Sequence, residues 1–308
     1  MLIDGFFQLG SAAWRALPLA HPSRHGIVRT SNVPYRSGGA QAHLLDVYRP
    51  SSGGAEPTGL RPAVLYIHGG SFRILSKESH FMMATEFAKA GYVVFNINYR
   101  LAPENPFPAA VEDVADAYRW VADNAARWGA DASRLVIAGE SAGGNLAVAL
   151  AIMATYQRPE PYARRVFQLG VVPKAIVPLC GMLQVSDPSH SRGTRPSAFI
   201  QDRIDAAAEY YLGVDNTAPH PERALADPIV VLEGGRPDRP FPPAFASAGT
   251  RDPIRADTLR LQRVLDGWGV PCEAHIYAGE PHAFQALTFR PSVREKWRAM
   301  FDFLAAKV

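Results

Sequence analysis

The chain has only two cysteines, Cys180 and Cys272, far apart and without metal-ligand spacing. They give no disulfide framework and no metal site, so two reduced, buried thiols are the expectation. A charge imbalance is also missing: 32 Lys and Arg face 29 Asp and Glu, leaving a net charge of +3. No block of clustered Lys and Arg with interleaved aromatics is present, which argues against nucleic acid as a partner. The densest basic pair, Arg164-Arg165, reads as a solvated helix end. No apolar run approaches the roughly 20 residues of a membrane span. Residues 1–18 lack the basic start of a signal peptide and carry Asp4. Their apolar residues Leu2, Ile3, Phe6, Phe7, Leu9, Trp14 and Leu17 fit one broad helical stripe instead. A cytoplasmic protein with no membrane partner is therefore expected. Internal repeats and low-complexity stretches are absent as well.

What is present is ample apolar material. At 308 residues, 47% hydrophobic and 20% charged, the chain is an ordered globular one. It is long enough for one large core, with or without a small appended domain. From residue 44 onward strand-like and helix-like runs alternate. Leu44-Leu45-Asp46-Val47-Tyr48, Ala63-Val64-Leu65-Tyr66-Ile67, residues 92–97, Arg134-Leu135-Val136-Ile137-Ala138 and Ala175-Ile176-Val177-Pro178-Leu179 read as strands. Helices are expected over 79–90, with Phe81, Met82, Thr85, Phe87 and Ala88 on the apolar face, and over 145–156. A longer one spans 109–128, with Val111, Val114, Ala117, Tyr118 and Val121 turned inward. This alternation predicts an α/β fold: a mostly parallel sheet with helices on both faces.

The rhythm breaks after Gly181. Residues 182–195 are polar and irregular, 197–212 read as a helix ending at Gly213, and a loop runs on to Asp227. Alternation resumes with a strand at 244–248, a helix at 257–268, a strand at 272–277 and a closing helix at 292–306. An insertion at that point of an α/β domain is expected to lie over the strand ends where ligands bind.

Gly139-Glu140-Ser141-Ala142-Gly143 sits between a buried strand and a helix. A G-x-S-x-G at a strand-to-helix turn is a nucleophile elbow, with the serine projecting from the sheet above a helix N-terminus. Alone it is weak, since chance supplies it about one time in ten in a chain this long. Serine needs a base, and the base needs an orienting acid. In this architecture the order is Ser, then Asp or Glu, then His, on loops after later strands. Asp252, after the 244–248 strand, and His282, after the 272–277 strand, meet that order. His275 lies inside a strand, His190 and His220 lie in the insertion, and Glu280 is on the wrong side of the order. Asp257 reads as a helix cap or dipole partner.

A second signal is independent of the first. His68-Gly69-Gly70-Ser71-Phe72 follows the 63–67 strand directly. Acyl transfer needs backbone N–H donors for a tetrahedral oxyanion, and losing one donor costs on the order of 10²–10³ in rate. A glycine loop of this type, together with the N–H after the nucleophile, here Ala142, supplies them. The donors are expected from Gly69, Gly70 or Ser71, plus Ala142.

These motifs, with Asn98-Tyr99-Arg100-Leu101-Ala102-Pro103-Glu104 and Pro106-Phe107-Pro108-Ala109-Ala110, closely resemble the hormone-sensitive-lipase-like, family IV carboxylesterases of the α/β-hydrolase superfamily. The resemblance covers roughly residues 44–181 and 243–304. It implies a metal-free and cofactor-free serine carboxylesterase acting on short-chain esters through Ser141, His282 and Asp252. Residues 1–43 and 182–227 would form a helical cap, and 44–181 with 228–308 the catalytic core. Tyr210 and Tyr211 on the cap helix, and Phe72, would line the pocket. The 98–104 block would support the glycine loop without touching substrate. Ser71 stands where many members carry a third glycine, which bears on pocket size. Glu140 replaces a commoner Asp and would either brace the elbow by hydrogen bonds or stand as a tolerated helix-start acid. Members often dimerise through the strand that 272–277 would supply, so a homodimer is a further expectation. Amide, carbamate or formamide hydrolysis on the same residues is the alternative within this chemistry. A non-catalytic receptor on the same fold is the alternative outside it.

Overall fold

The computed structural model describes residues 21–51, 59–187, 198–213 and 221–308. Among them, β1 (Ile27–Pro34), β2 (Leu44–Pro50), β3 (Arg61–Ile67), β4 (Val93–Ile97), β5 (Ala130–Glu140), β6 (Ala175–Leu179), β7 (Ala244–Gly249) and β8 (Cys272–Tyr277) form one sheet. Their order across it is β1-β2-β4-β3-β5-β6-β7-β8. β2 is antiparallel to β1 and β4, and every other pairing is parallel. The helices are α1 (Phe81–Lys89), α2 (Ala109–Asn124), α3 (Ala142–Thr155), α4 (Pro161–Leu169), α5 (Ala198–Leu212), α6 (Pro228–Gly234), α7 (Arg255–Trp268) and α8 (Pro291–Ala305).

Strand residues alternate between the two faces. Leu65, Ile67, Phe95, Ile97, Leu135 and Ile137 join one core with Val114 and Tyr118 of α2, Leu146 of α3 and Leu261 of α7. Their neighbours Val64, Tyr66, Val94, Val136 and Ala138 join a second core with Phe81 and Phe87 of α1 and Trp297 and Met300 of α8. The central strands are covered on both faces, which is why they read as unbroken apolar runs. α3 is buried along its whole length. It therefore has no polar face, and its one amide side chain, Asn145, donates to Met182 O at 2.7 Å and Ala226 O at 2.8 Å.

The insertion between β6 and β7 is tied at its start to α7, and its two ends are tied to each other. Asp257 in the first turn of α7 accepts the N–H groups of Leu183 and Gln184 at 2.7 and 3.2 Å. It thus holds the start of the insertion while standing, as expected of a dipole partner, in the first turn of its own helix. Asp227 accepts from Val185 N and Ser186 N at 2.5 and 2.9 Å. A buried carboxylate stripped of such donors would destabilise the fold strongly.

Several expectations need correction. Residues 27–34 are the edge strand β1 of the sheet, so residues 1–43 are not cap throughout. Its Arg29-Thr30-Ser31-Asn32 run hides the strand, and buried Asp46 on β2 ties it down by accepting from Arg29 and from Asn32 N. Arg164 and Arg165 are solvated on a helix as expected, but they lie inside α4 rather than at its end. On α1 the buried residues include Met83 and Ala84, while Met82 is half-buried. The helix expected to reach 128 ends at Asn124 and tightens into a 3₁₀ turn, Ala125–Trp128. Cys272 is half-buried rather than buried, and both thiols are free. The helical stripe at 2–17, most of the turn-rich stretch 51–59 and residues 188–195 of the irregular segment lie outside the described residues. No helix among the described residues is long and apolar enough to cross a membrane.

Candidate active site

β5 ends at Glu140 and α3 begins at Ala142, leaving Ser141 alone in the turn with φ 55° and ψ −115°. A non-glycine residue held there costs about 1–3 kcal/mol, and the surroundings must over-determine it. They do. Ser141 N donates to Leu179 O at 2.9 Å, and Ser141 O accepts from Asn145 N at 3.1 Å. The start of α3 also presses on β3: a Cβ at Gly143 would stand 2.1 Å from Ile67 O. Only glycine fits that approach.

The loops after β7 and β8 bring Asp252 and His282 to this turn. His282 Nε2 lies 2.9 Å from Ser141 Oγ, and His282 Nδ1 lies 2.9 Å from Asp252 Oδ2. With the ring proton on Nδ1 donated to Asp252, the Nε2 lone pair faces the serine hydroxyl. The second Asp252 oxygen accepts from Ile254 N at 3.0 Å, and the carboxylate is fully buried. Burial works against a charged His282, but the Asp252 carboxylate outweighs it and holds the imidazole pKa well above the ordinary histidine value. Water shares in that balance, because the His282 side chain is 33% exposed. His275, by contrast, stacks between Phe245 and Tyr277 on β8. Glu280 binds Arg290 and Ser292, bracing the histidine loop against the start of α8.

The glycine loop stands across from the elbow. The buried His68 donates from Nδ1 to Gly69 O at 2.7 Å and stacks on Tyr99, with ring centroids 4.2 Å apart. Burial pushes its pKa down to about 3, so the ring is neutral. Tyr99 OH donates to His68 O at 3.0 Å, and Ala102 N donates to Phe72 O at 2.9 Å. The 98–104 block thus props the loop from behind. It is itself held by Arg100, whose N–H and guanidinium both bind Asp113 on α2. Gly70 takes φ 115°, and a Cβ there would collide with Ile74 O at 2.0 Å. Of the loop N–H groups, that of Gly69 is engaged by His80 Nε2 at 3.2 Å. Those of Gly70, Ser71 and Ala142 meet no acceptor among the described residues. Ser71 and Phe72 follow with φ 54° and 60°.

Phe72 and Tyr211 are both buried and stack on each other, while Tyr210 lies under the Arg73 guanidinium, 3.6 Å from ring centroid to charge. Tyr211 O also accepts from Phe107 N at 2.8 Å. The end of α5 is therefore seated on the glycine loop.

Beneath the site lies a group of residues that sequence reasoning did not single out. Gln285, three positions after His282, donates to Glu140 Oε2 at 2.6 Å and to Cys180 Sγ at 3.2 Å. The Cys180 sulfur stands within 4.8 Å of the facing His282 and Asp252 atoms. Burial disfavours a charged Glu140, but the facing His282 and the Gln285 hydrogen bond help hold its pKa below the usual carboxylate value. Glu140 thus does brace the elbow. A buried acid beside the serine signals that partners must exist, yet His80 and Gln285 lie 60 and 145 positions from it and nothing local marks them.

A family model for the alpha/beta hydrolase fold matches residues 64–286. The chain belongs to the α/β-hydrolase family. Its motifs place it in the hormone-sensitive-lipase-like branch of that family. This α/β-hydrolase is 34% identical over 217 residues to esterase LipI of Mycobacterium tuberculosis, a match covering 70% of the chain and 62% of that relative. The alignment thus spans less than two thirds of the relative's length. An ethyl acetate hydrolase of Pseudomonas putida is 41% identical over 119 residues, 38% of this hydrolase and 37% of that one. Among solved structures, a Pyrobaculum calidifontis esterase superposes with a TM-score of 0.75 at 27% identity, over 100% of this chain and 93% of that one.

Proposed function

We propose that this α/β-hydrolase is a serine carboxylesterase for short-chain acyl esters. The observation that carries the reading is the chain of contacts Ser141 Oγ to His282 Nε2 to Asp252, 2.9 Å at each link, starting from a strained elbow serine. In this mechanism Ser141 Oγ attacks the ester carbonyl as its proton passes to His282 Nε2. Asp252 orients the ring and supports the imidazolium. The oxyanion is held by the unengaged N–H groups of Gly70, Ser71 and Ala142, since Gly69 is already donating elsewhere. Collapse expels the alcohol, which takes the proton from His282. A water then gives a proton to His282 and attacks the acyl-Ser141 carbonyl. Breaking the acyl–oxygen bond releases the acid and returns the proton to Ser141.

Likeness to an ethyl acetate hydrolase supports a small acyl group. A serine in the glycine loop, whose side chain would narrow the acyl side, fits the same reading. Residues 182–227 would form the cap, with α5 and its Tyr210 and Tyr211 as the wall nearest the glycine loop. Two free thiols suit a reducing cytoplasm. β8, last in the sheet order, is the strand through which two copies would pair.

A chain-length series of nitrophenyl esters tests the reading. Turnover should be greatest for acetate to butyrate esters and fall with longer acyl chains. Ser141→Ala should lower it by roughly 10⁴-fold or more. A matched anilide should react far more slowly than its ester. Retained turnover in Ser141→Ala, or preference for the anilide, would overturn the assignment.

A further inference from the structure

His80 stands at the junction of α1 with the glycine loop, and the reaction as written gives it no role. Its surroundings define its protonation. The Ser79 hydroxyl donates to Ser76 O at 2.6 Å, so its oxygen is left to accept at 2.9 Å from His80 Nδ1. Nδ1 therefore carries the proton. Nε2 then has a lone pair, and the Gly69 N–H points at it from 3.2 Å. A Glu140 oxygen lies 3.5 Å from the same nitrogen. The two contacts exclude each other, since a protonated Nε2 would face the carboxylate and repel the Gly69 N–H. The shorter contact, with hydrogen-bond geometry, selects the neutral ring. The other titratable groups around it are buried and uncharged or remote in the same pocket: the His68 ring, 5.7 Å away, is neutral, and the Tyr66 ring is 6.1 Å away. Lys296, on α8, senses Glu140 from the far side.

We propose that neutral His80 is a positioning residue for the oxyanion loop, fixing the Gly69 peptide so that the next two N–H groups stay free and aimed at the Ser141 carbonyl adduct. The inference rests on the esterase reading above. Gly69 lies against the elbow, where a Cβ on it would stand 2.8 Å from Glu140 O. The imidazole fixes the loop one residue before Gly70, whose N–H is a proposed donor. Without an acceptor for Gly69 N–H, that peptide is free to rotate, and a donor displaced by about 1 Å costs on the order of 10²-fold. His80 touches neither substrate nor the reacting atoms. Its effect should appear in the transition state and not in substrate binding.

The test compares His80→Leu, which removes the acceptor, with His80→Gln, whose amide oxygen can take the Gly69 N–H at nearly the same reach. His80→Leu should lower kcat for a nitrophenyl ester by about 10- to 100-fold with KM changed by less than about threefold. It should weaken an alkyl boronic acid, which forms a tetrahedral anion on Ser141, by a similar factor. His80→Gln should recover most of both. In ¹⁵N-histidine spectra at pH 7, the resonances lost in His80→Gln should show a protonated Nδ1 and an unprotonated Nε2. Unchanged kcat in folded His80→Leu, a rise in KM alone, or a protonated Nε2 would overturn the inference. Should His80→Leu fail to fold, the spectra of the wild-type protein and the kinetics of His80→Gln still decide. If instead the wild type hydrolyses no ester and a fluorophosphonate leaves Ser141 unlabelled, the esterase reading falls, and the spectra still decide whether His80 holds Gly69.

Discussion

Phe72 and Tyr211 lie face to face, their ring centroids 3.7 Å apart and their planes within 8°. One ring belongs to the glycine loop beside the proposed oxyanion donors, the other to the end of α5 in the insertion. The stack makes the shape of the loop depend on where the insertion sits. Phe107, edge-on to Tyr211 with centroids 5.7 Å apart, completes the contact.

Tyr211→Ala should lower stability by about 3 kcal/mol, the scale of deleting a large buried ring. Its esterase kcat should fall as well, because the loop loses its lid-side support. Tyr211→Phe should be neutral or stabilising by about 1 kcal/mol, because the buried hydroxyl has no partner among the described residues. Urea unfolding of the two variants, read beside nitrophenyl ester kinetics, checks both.

The pH profile follows from His282. The proposed mechanism needs the neutral ring, and Asp252 holds its pKa above 6.5 against the opposing effect of burial. Protonation below that pKa removes the base, so kcat/KM should rise with pH through an acid limb centred above 6.5. Asp252→Asn removes the charge that favours imidazolium. Its limb should move to lower pH, while the plateau drops by about 10⁴-fold as the ring loses its orienting partner.

Lys296 is fully buried on α8, with Nζ 3.5 Å from the Trp297 ring centroid and no hydrogen-bond partner among the described residues. Burial pulls its pKa down to about 7. The unfolded chain keeps that proton to about pH 10.4. Between those values the unfolded state binds more protons, so this site makes stability rise with pH. Lys296→Met removes the slope. The variant should be more stable than wild type at pH 7, by on the order of 3 kcal/mol, and the gap should narrow by pH 9.5. Denaturant titrations at both pH values measure it.

Ser71 occupies φ 54°, a left-handed conformation in which a side chain costs about 1 kcal/mol relative to glycine. Ser71→Gly should therefore fold at least as well as wild type. Added freedom of the unfolded chain offsets part of the gain. The backbone N–H is kept, so kcat for an acetate ester should stay within about threefold. The chain-length profile should widen toward longer acyl groups if the hydroxymethyl limits the pocket.

Much of this protein was legible in its sequence because the signals are local. Leu65, Ile67, Leu135 and Ile137 lie in runs long enough to mark strands buried on both faces. Gly143 stands where no Cβ fits, and Asp252 and His282 each follow a strand in the order the elbow requires. β1 escaped because its Arg29-Thr30-Ser31-Asn32 run shows no apolar alternation, and only pairing with β2 makes it a strand. The choice among Gly69, Gly70 and Ser71 also escaped. All three carry an N–H, and only the approach of His80, folded back from α1, engages one of them. Gln285, Glu140 and Cys180 meet by convergence of β5, β6 and the loop after β8. The order of chemical groups along the chain is a one-dimensional property, set by covalent linkage. Which N–H is free, which acid is braced and which ring covers the loop are decided by contacts between segments far apart in that order, and these exist only once the sheet has assembled.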